Sequence, residues 1–262
     1  MGVCSTLSCD SPDVILRTHP ATDEPGSRNV ILLRKPSDAR IGRFLEDRRS
    51  LPFSYPEVGA SQDGAPPGYP VNQLRGRLGV GPVTFARAVE ALRHWKMYET
   101  GWTKLCWPDA PITGGTLVGV LGRHFGLWSL NACRIVYVIE EKEALLLKRY
   151  GFAFGTLPTH VEWGEERFTV EWHRADDSVS YEVFAFARSA HPLASVGPPF
   201  VRLVQRRFAA ASLRAMAAAD HSTFQFPRGC PHPFRKPLQI IVMSVIGVIS
   251  LYLKGFHMTV PK

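Results

Sequence analysis

Apolar and polar positions alternate in Phe168, Val170 and Trp172 against Thr169, Glu171 and His173, as in a strand with two distinct faces. The alternation recurs in Tyr181, Val183, Ala185 and Ala187 against Glu182, Phe184 and Phe186. Large groups stand on both faces. This predicts one face packed on a helix and the other partly covered or lining a cavity. The pattern predicts strands at 71–79, 116–121, 134–140, 147–156, 167–173 and 179–187. Arg174-Ala-Asp-Asp-Ser178 makes a hairpin loop between the last two.

Elsewhere the period changes to that of a helix. Phe85, Ala88, Val89, Leu92 and Trp95 predict an amphipathic helix over 83–97, opened by Gly81-Pro82. Ile41, Phe44 and Leu45 predict a shorter one within 38–49. Phe200, Val204, Phe208, Ala211 and Ala215 form the stripe of a closing helix at 199–219, with Arg202 and Arg206 opposite. Residues 51–69 are rich in Pro and Gly and read as an ordered, irregular loop. The order is strand, helix, antiparallel meander, long helix. It predicts an α+β domain over 34–219: a curved antiparallel sheet with one N-terminal and one long C-terminal helix, in the helix-grip or START-like manner. The space between such a sheet and its last helix suits an apolar ligand.

A net charge of +8 and a pI near 9.4 predict anionic partners. The aromatic residues lie in apolar, strand-like runs rather than among the basic ones. A stacking platform for nucleic acid is therefore not indicated, and an anionic membrane surface is the expected partner. Cys4, Cys9, Cys106, Cys133 and Cys230 are odd in number and scattered, without a CxxC pair. They support reduced thiols on a cytosol-facing protein rather than a disulfide framework or a zinc site.

Both ends add to the membrane reading. Residues 1–33 read as a flexible leader without the apolar core of a signal peptide. The leader begins Met1-Gly2-Val3-Cys4-Ser5-Thr6, so Gly2 is a candidate for myristoylation and Cys4 for palmitoylation. A basic linker, 220–236, leads to an apolar helix at 237–254, followed by a short tail to 262. The helix would offer Leu238, Ile241, Val245, Ile249 and Leu253 to a bilayer, with Arg235, Lys236 and Lys254 at its ends. The uncharged stretch 238–253 would be about 24 Å long as a helix, short of a hydrocarbon core of about 30 Å. A short tail anchor fits that length only with snorkelling basic flanks.

Several segments together resemble one known family. Among them are Leu51-Pro-Phe-Ser-Tyr-Pro-Glu-Val-Gly-Ala60, Ala91-Leu-Arg-His-Trp95 and Cys133-Arg-Ile-Val-Tyr-Val138. Gly151-Phe-Ala-Phe-Gly-Thr-Leu-Pro158 and Trp163-Gly-Glu-Glu166 belong to the same set. Over about residues 36–219 the chain resembles the domain of unknown function 1990 family. The resemblance implies no catalytic residue. One plant branch of the family is similar to a pore-forming protein of the chloroplast outer envelope, which implies an organelle-envelope channel as an alternative role.

The candidate site lies in Gly151–Phe168, GFAFGTLPTHVEWGEERF. His160 and Glu162 form an HxE pair, but the Pro-Cys-x-x-Cys of the zinc deaminases is missing, so no metal is expected. Gly79-Val-Gly81 lacks the third glycine and the acid of a dinucleotide fingerprint and reads as a helix-capping turn, so no cofactor is expected. The plain reading is a strand ended by Leu157-Pro158, a turn at Gly164 and a return strand. Gly151 and Gly155 would serve close approach in a curved sheet, and the glutamates would pair with arginines such as Arg188. The sharper reading places this loop at the lip of the cavity, with Phe154, His160, Glu162, Trp163 and Glu165 contacting a ligand. Three roles follow. They are a membrane-associated, non-enzymatic module for a lipid or other apolar ligand, an envelope channel, and an enzyme built on His160, Glu162 and Glu165.

Overall fold

A computed structural model describes residues 31–124, 126–141, 146–160, 162–189 and 198–219. A short strand, β1 (Ile31–Leu32), leads to helix α1 (Asp38–Glu46). The Ser37 side chain caps α1 by accepting from the Arg40 amide at 3.3 Å. After the irregular loop come β2 (Val71–Val80) and α2 (Gly81–Arg93). Gly81 adopts a φ of 83° at the strand-to-helix corner, where a side chain would be strained.

The α2 helix ends earlier than its apolar period suggests. Trp95 takes a left-handed φ of 56°, and its indole is then buried edge-on to Phe152 with ring centres 4.9 Å apart. Its Nε1–H donates to the Ala110 carbonyl at 3.1 Å. Burial and a satisfied donor offset the backbone strain.

The rest of the sheet is β3 (Thr103–Leu105), β4 (Leu117–His124), β5 (Leu127–Glu140), β6 (Leu147–Thr156), β7 (Glu162–His173) and β8 (Ser178–Ser189). All pairs are antiparallel, in the order β2-β8-β7-β6-β5-β4-β3, with β1 paired to β5. A bulge at Ile135/Tyr137 and another at Arg77/Gly79 bend the sheet. Helix α3 (Pro198–Ala219) closes the domain. The curved sheet grips a long C-terminal helix, and the fold is START-like. Two helices, α1 and α2, precede the meander, at the two stretches whose apolar period predicts them.

The core on the inner face joins Leu92, Trp95, Met97 and Tyr98 to Phe152, Phe154, Phe168, Val170, Tyr181 and Val183 of the sheet. From α3 it takes Phe208, Ala209, Leu213 and Met216. Tyr181 and Ser212 share a buried hydroxyl–hydroxyl hydrogen bond of 2.7 Å that ties β8 to α3. The buried surface of α3 is broader than the predicted stripe. Leu213, Met216 and Ala217 are buried, whereas Val204 and Ala215 are only half-buried, because α2, β2 and β8 flank the helix. The space expected for a ligand is thus occupied along most of its length by the protein's own rings.

The outer face is covered as well. Ile41 and Leu45 of α1 pack on Leu121, Leu130, Ala132 and Leu157, and Tyr55 and Tyr69 of the loop pack on Phe184 and Phe186. Among the described residues no helix is long and apolar enough to cross a membrane. The predicted tail helix with Leu238, Ile241, Val245, Ile249 and Leu253, and the acylation candidates Gly2 and Cys4, lie outside the described residues.

Candidate functional site

The turn within GFAFGTLPTHVEWGEERF falls at Leu157–His160, and Gly164 sits inside β7 rather than at its start. This corrects the predicted turn and resets the faces of the glutamates. Counting back by twos from Trp172, Val170 and Phe168, residues 166, 164 and 162 point to the inner face, and 167, 165 and 163 to the outer.

Glu165 is therefore turned away from the space beside α3. It is 2% exposed and held under the loop. Tyr55 Oη donates to its Oε2 at 2.7 Å and the Gly59 amide at 2.8 Å. The Ser61 amide donates to Oε1 at 3.1 Å, and the Ser61 hydroxyl donates to the same oxygen. The Tyr137 hydroxyl lies 2.5 Å from Ser61 Oγ and completes the set. Arg188 does not pair with a glutamate of this stretch. Its guanidinium lies over the rings of Tyr69 and Trp163, at 4.9 and 5.8 Å. Trp163 and Glu165 thus fasten the loop to the outer face and touch no common ligand space with Glu162. The grouping of His160, Glu162 and Glu165 as one catalytic set fails for the same reason.

The inner face gathers Glu162, Glu166 and Phe154 against α3. Gln205 Nε2 of α3 donates to Glu162 Oε1 at 2.6 Å. Burial pushes the Glu162 carboxyl up to about 7, the Gln205 bond acting in the opposite direction. Burial, and then the neighbouring Glu162, push Glu166 up to about 8. Both residues nevertheless keep part of their surface accessible, so this corner between β7 and α3, the recess, is partly open rather than sealed. No cation pairs with either among the described residues. The apolar wall is Phe154, stacked on Tyr98 at 6.4 Å and tilted to Phe168 at 5.6 Å. The charge of Glu166 bears on Tyr98, Cys133 and Tyr181, whose proton affinities rise mainly through burial.

His160 stands at the edge of this recess. Its Nδ1 lies 3.0 Å from the Glu162 amide nitrogen and 2.9 Å from the Glu162 carbonyl oxygen, so either tautomer ties the ring to that backbone. Burial lowers its pKa to about 4. The turn below is braced by Arg48, whose Nε donates to Thr159 Oγ1 at 3.0 Å, with Thr159 at a left-handed φ of 78°.

A separate open cleft of about 610 Å³ lies at the other end of the inner face. Arg93, His94, Ile112, Val138, Glu140 and Tyr150 contribute to it. Arg93 crosses it, 3.4 Å from Glu140 and 4.8 Å above the Tyr150 ring. Among the described residues no group of three or more His, Cys, Asp or Glu is placed to hold a metal ion.

Sequence reasoning missed Glu166, Gln205 and Tyr98. A signal existed for Glu166, since continuing the period-two count through Gly164 places it beside Phe168. Gln205 and Tyr98 reach the recess only through helix docking.

Residues 54–215 match the family described as Domain of unknown function (DUF1990), and the chain belongs to that family. A UPF0548 protein of Dictyostelium discoideum is 34% identical over 206 residues, covering 72% of this chain and 95% of the relative. A UPF0548 protein of Deinococcus radiodurans is 35% identical over 202 residues, covering 72% and 98%. A hypothetical protein from Helicobacter pylori of known structure aligns with a TM-score of 0.41 and 12% identity, over 64% of this chain and 96% of that one. Human STARD10 aligns with a TM-score of 0.37 and 11% identity, over 71% and 80%.

Proposed function

We propose that the domain is a non-enzymatic binding module that works at a membrane and takes an apolar molecule with a polar end. The molecule's apolar part would lie against Phe154 and Tyr98. Its polar end would meet Glu162, Glu166 and Gln205, with His160 at the rim.

One observation carries the reading. Two carboxyl groups on partly accessible residues stand beside aromatic rings, and among the described residues no cation pairs with either. A group of this kind exchanges hydrogen bonds with a ligand's hydroxyl, carbonyl or carboxyl end. Because aromatic side chains fill the rest of the inner face, the recess suits a short or single-chain ligand rather than a bulky one.

Native mass spectrometry of the full-length protein, purified without detergent and then incubated with a fatty acid, tests this. The expected result is a one-to-one complex that Glu166→Phe, which fills the recess, reduces at least about tenfold. A wild-type protein that takes up neither a co-purifying lipid nor the added fatty acid would overturn the proposal.

A channel formed by this sheet receives no support from its packing. Both faces of the strands are covered by protein, whereas a transmembrane barrel needs an apolar outer band facing lipid.

A further inference from the structure

Every ionisable side chain of α3 is an arginine: Arg202, Arg206, Arg207 and Arg214. All four are exposed, and the helix contains no acid. Several guanidiniums elsewhere in the domain are paired with carboxylates, as in Arg49–Glu46 at 2.8 Å, Arg93–Glu140 at 3.4 Å and Arg149–Glu141 at 2.5 Å. Among the described residues Arg202, Arg206 and Arg214 have no such partner, and Arg207 lies over the Trp102 ring at 5.1 Å. Among the described side chains of α3, Leu203 and Ala210 are half-exposed, and the exposed ones besides the four arginines reduce to Ala218. On its inner side the same helix sends Gln205 to Glu162 at the recess.

We propose that the arginine face of α3 is the surface by which the domain lies on an anionic lipid bilayer, with the mouth of the recess turned toward the lipid. The orientation of the mouth rests on the ligand reading above. The lipid contact does not.

Four like charges without counter-charges cost self-repulsion in the free protein and are matched by a surface of opposite sign. The chain beyond α3 favours a bilayer over nucleic acid. After Ala219 it adds Arg228, Arg235 and Lys236 against the single acid Asp220, and then enters the uncharged stretch 238–253. A basic cluster leading into an apolar segment is the pattern by which proteins meet anionic headgroups. Nucleic-acid grooves add aromatic platforms between the cations, and the ring available here, Trp102, is half-buried under Arg207.

The test is co-sedimentation of the full-length chain with vesicles of phosphatidylcholine alone or mixed with phosphatidylserine. Arg202, Arg206, Arg207 and Arg214 are changed together to Gln. A second protein carries the same change at Arg40, Arg43 and Arg49, exposed arginines in and just after α1. A third spares Arg207, whose contact with Trp102 contributes to packing. The expected result is stronger binding to the mixed vesicles, weakened by salt. It falls roughly fivefold for each α3 arginine removed and hardly at all in the α1 protein.

Equal binding to both vesicle types, equal loss in the α1 and α3 proteins, or no loss in the α3 proteins would overturn the inference. So would unchanged vesicle binding with loss of affinity for a single-stranded RNA probe, which would assign the surface to nucleic acid. Fatty-acid uptake by the α3 proteins, measured without vesicles, reports on the recess separately.

Discussion

Tyr55 donates its hydroxyl hydrogen to Glu165 Oε2 at 2.7 Å, across 110 residues of chain and through the gap left by Gly155. A Cβ at residue 155 would collide with that hydroxyl and lie 2.9 Å from Phe53 Cδ1. The glycine of strand β6, the tyrosine of the preceding loop and the glutamate of β7 are therefore one structural device. It closes the outer face of the sheet with buried hydrogen bonds instead of apolar packing alone.

Removing the carboxylate leaves the Tyr55 hydroxyl, two backbone amides and the Ser61 hydroxyl without their acceptor. Each unsatisfied buried donor costs about 1–3 kcal/mol. Glu165→Ala is expected to lower the unfolding free energy by at least about 3 kcal/mol in urea titrations. The Gly59 and Ser61 amides should lose hydrogen-exchange protection before the strands do. A variant with wild-type stability and protected amides would refute this role.

Gly155→Ala should destabilise through Tyr55 and not through β6 itself. Alone it is expected to cost about 1–3 kcal/mol, as overpacked core sites do. Combined with Tyr55→Ala, the loss should be clearly smaller than the sum of the two single losses, because the tightest collision, with the Tyr55 hydroxyl, is then gone and only the Phe53 contact remains. Strict additivity in that double-mutant cycle would place the strain elsewhere.

The recess carboxyls predict a pH dependence of stability. Glu166 near 8 and Glu162 near 7 stand above the ordinary carboxyl value of 4.5. Folding therefore favours their protonated forms, and their contribution is present at low pH and lost as pH rises toward 8. His160, lowered to about 4, acts in the opposite sense, losing stability as pH falls from 6.5 toward 4. Between pH 6.5 and 8 the carboxyls act without opposition from His160. Stability should decline across that window in the wild type, and Glu166→Gln should flatten the decline. Thermal melts at fixed ionic strength decide it, and an equally steep decline in Glu166→Gln would exclude the recess carboxyl as the cause.

Cys133 is buried beneath the aromatic core, and burial raises its proton affinity well above that of a free thiol. Burial likewise pushes Cys106 up to about 12. Since the thiolate is the reactive form, Cys133 is expected to alkylate at neutral pH only at the rate of unfolding, and the half-buried Cys106 far more slowly than a free thiol. Mass-spectrometric mapping with and without urea checks this. Rapid labelling of Cys133 in the native protein would contradict the packing.

Most of the elements were legible from local physics. Strand alternation and helical periodicity place β2, β6, β8, α2 and α3 to within a few residues, because each buries a face whose spacing is written along the chain. The class of fold followed from their order. Elements whose burial comes from partners distant in sequence were not legible. Strand β3 is three residues long and exists because β4 lies beside it. The pairing of β2 with β8 joins segments about a hundred residues apart.

The candidate site divides in the same way. Residue types and the Gly-rich signature marked the stretch 151–168 from sequence. Which glutamate faces which side depended on whether the chain turned at Gly164 or ran straight through it. The register of β7 between β6 and β8 decided that, since a single residue's shift exchanges the two faces of a strand. Tertiary structure thus made Glu165 a structural anchor, and it brought Gln205 and Tyr98 to Glu162 and Glu166. Only the docking of helices on a curved sheet could bring those four side chains together.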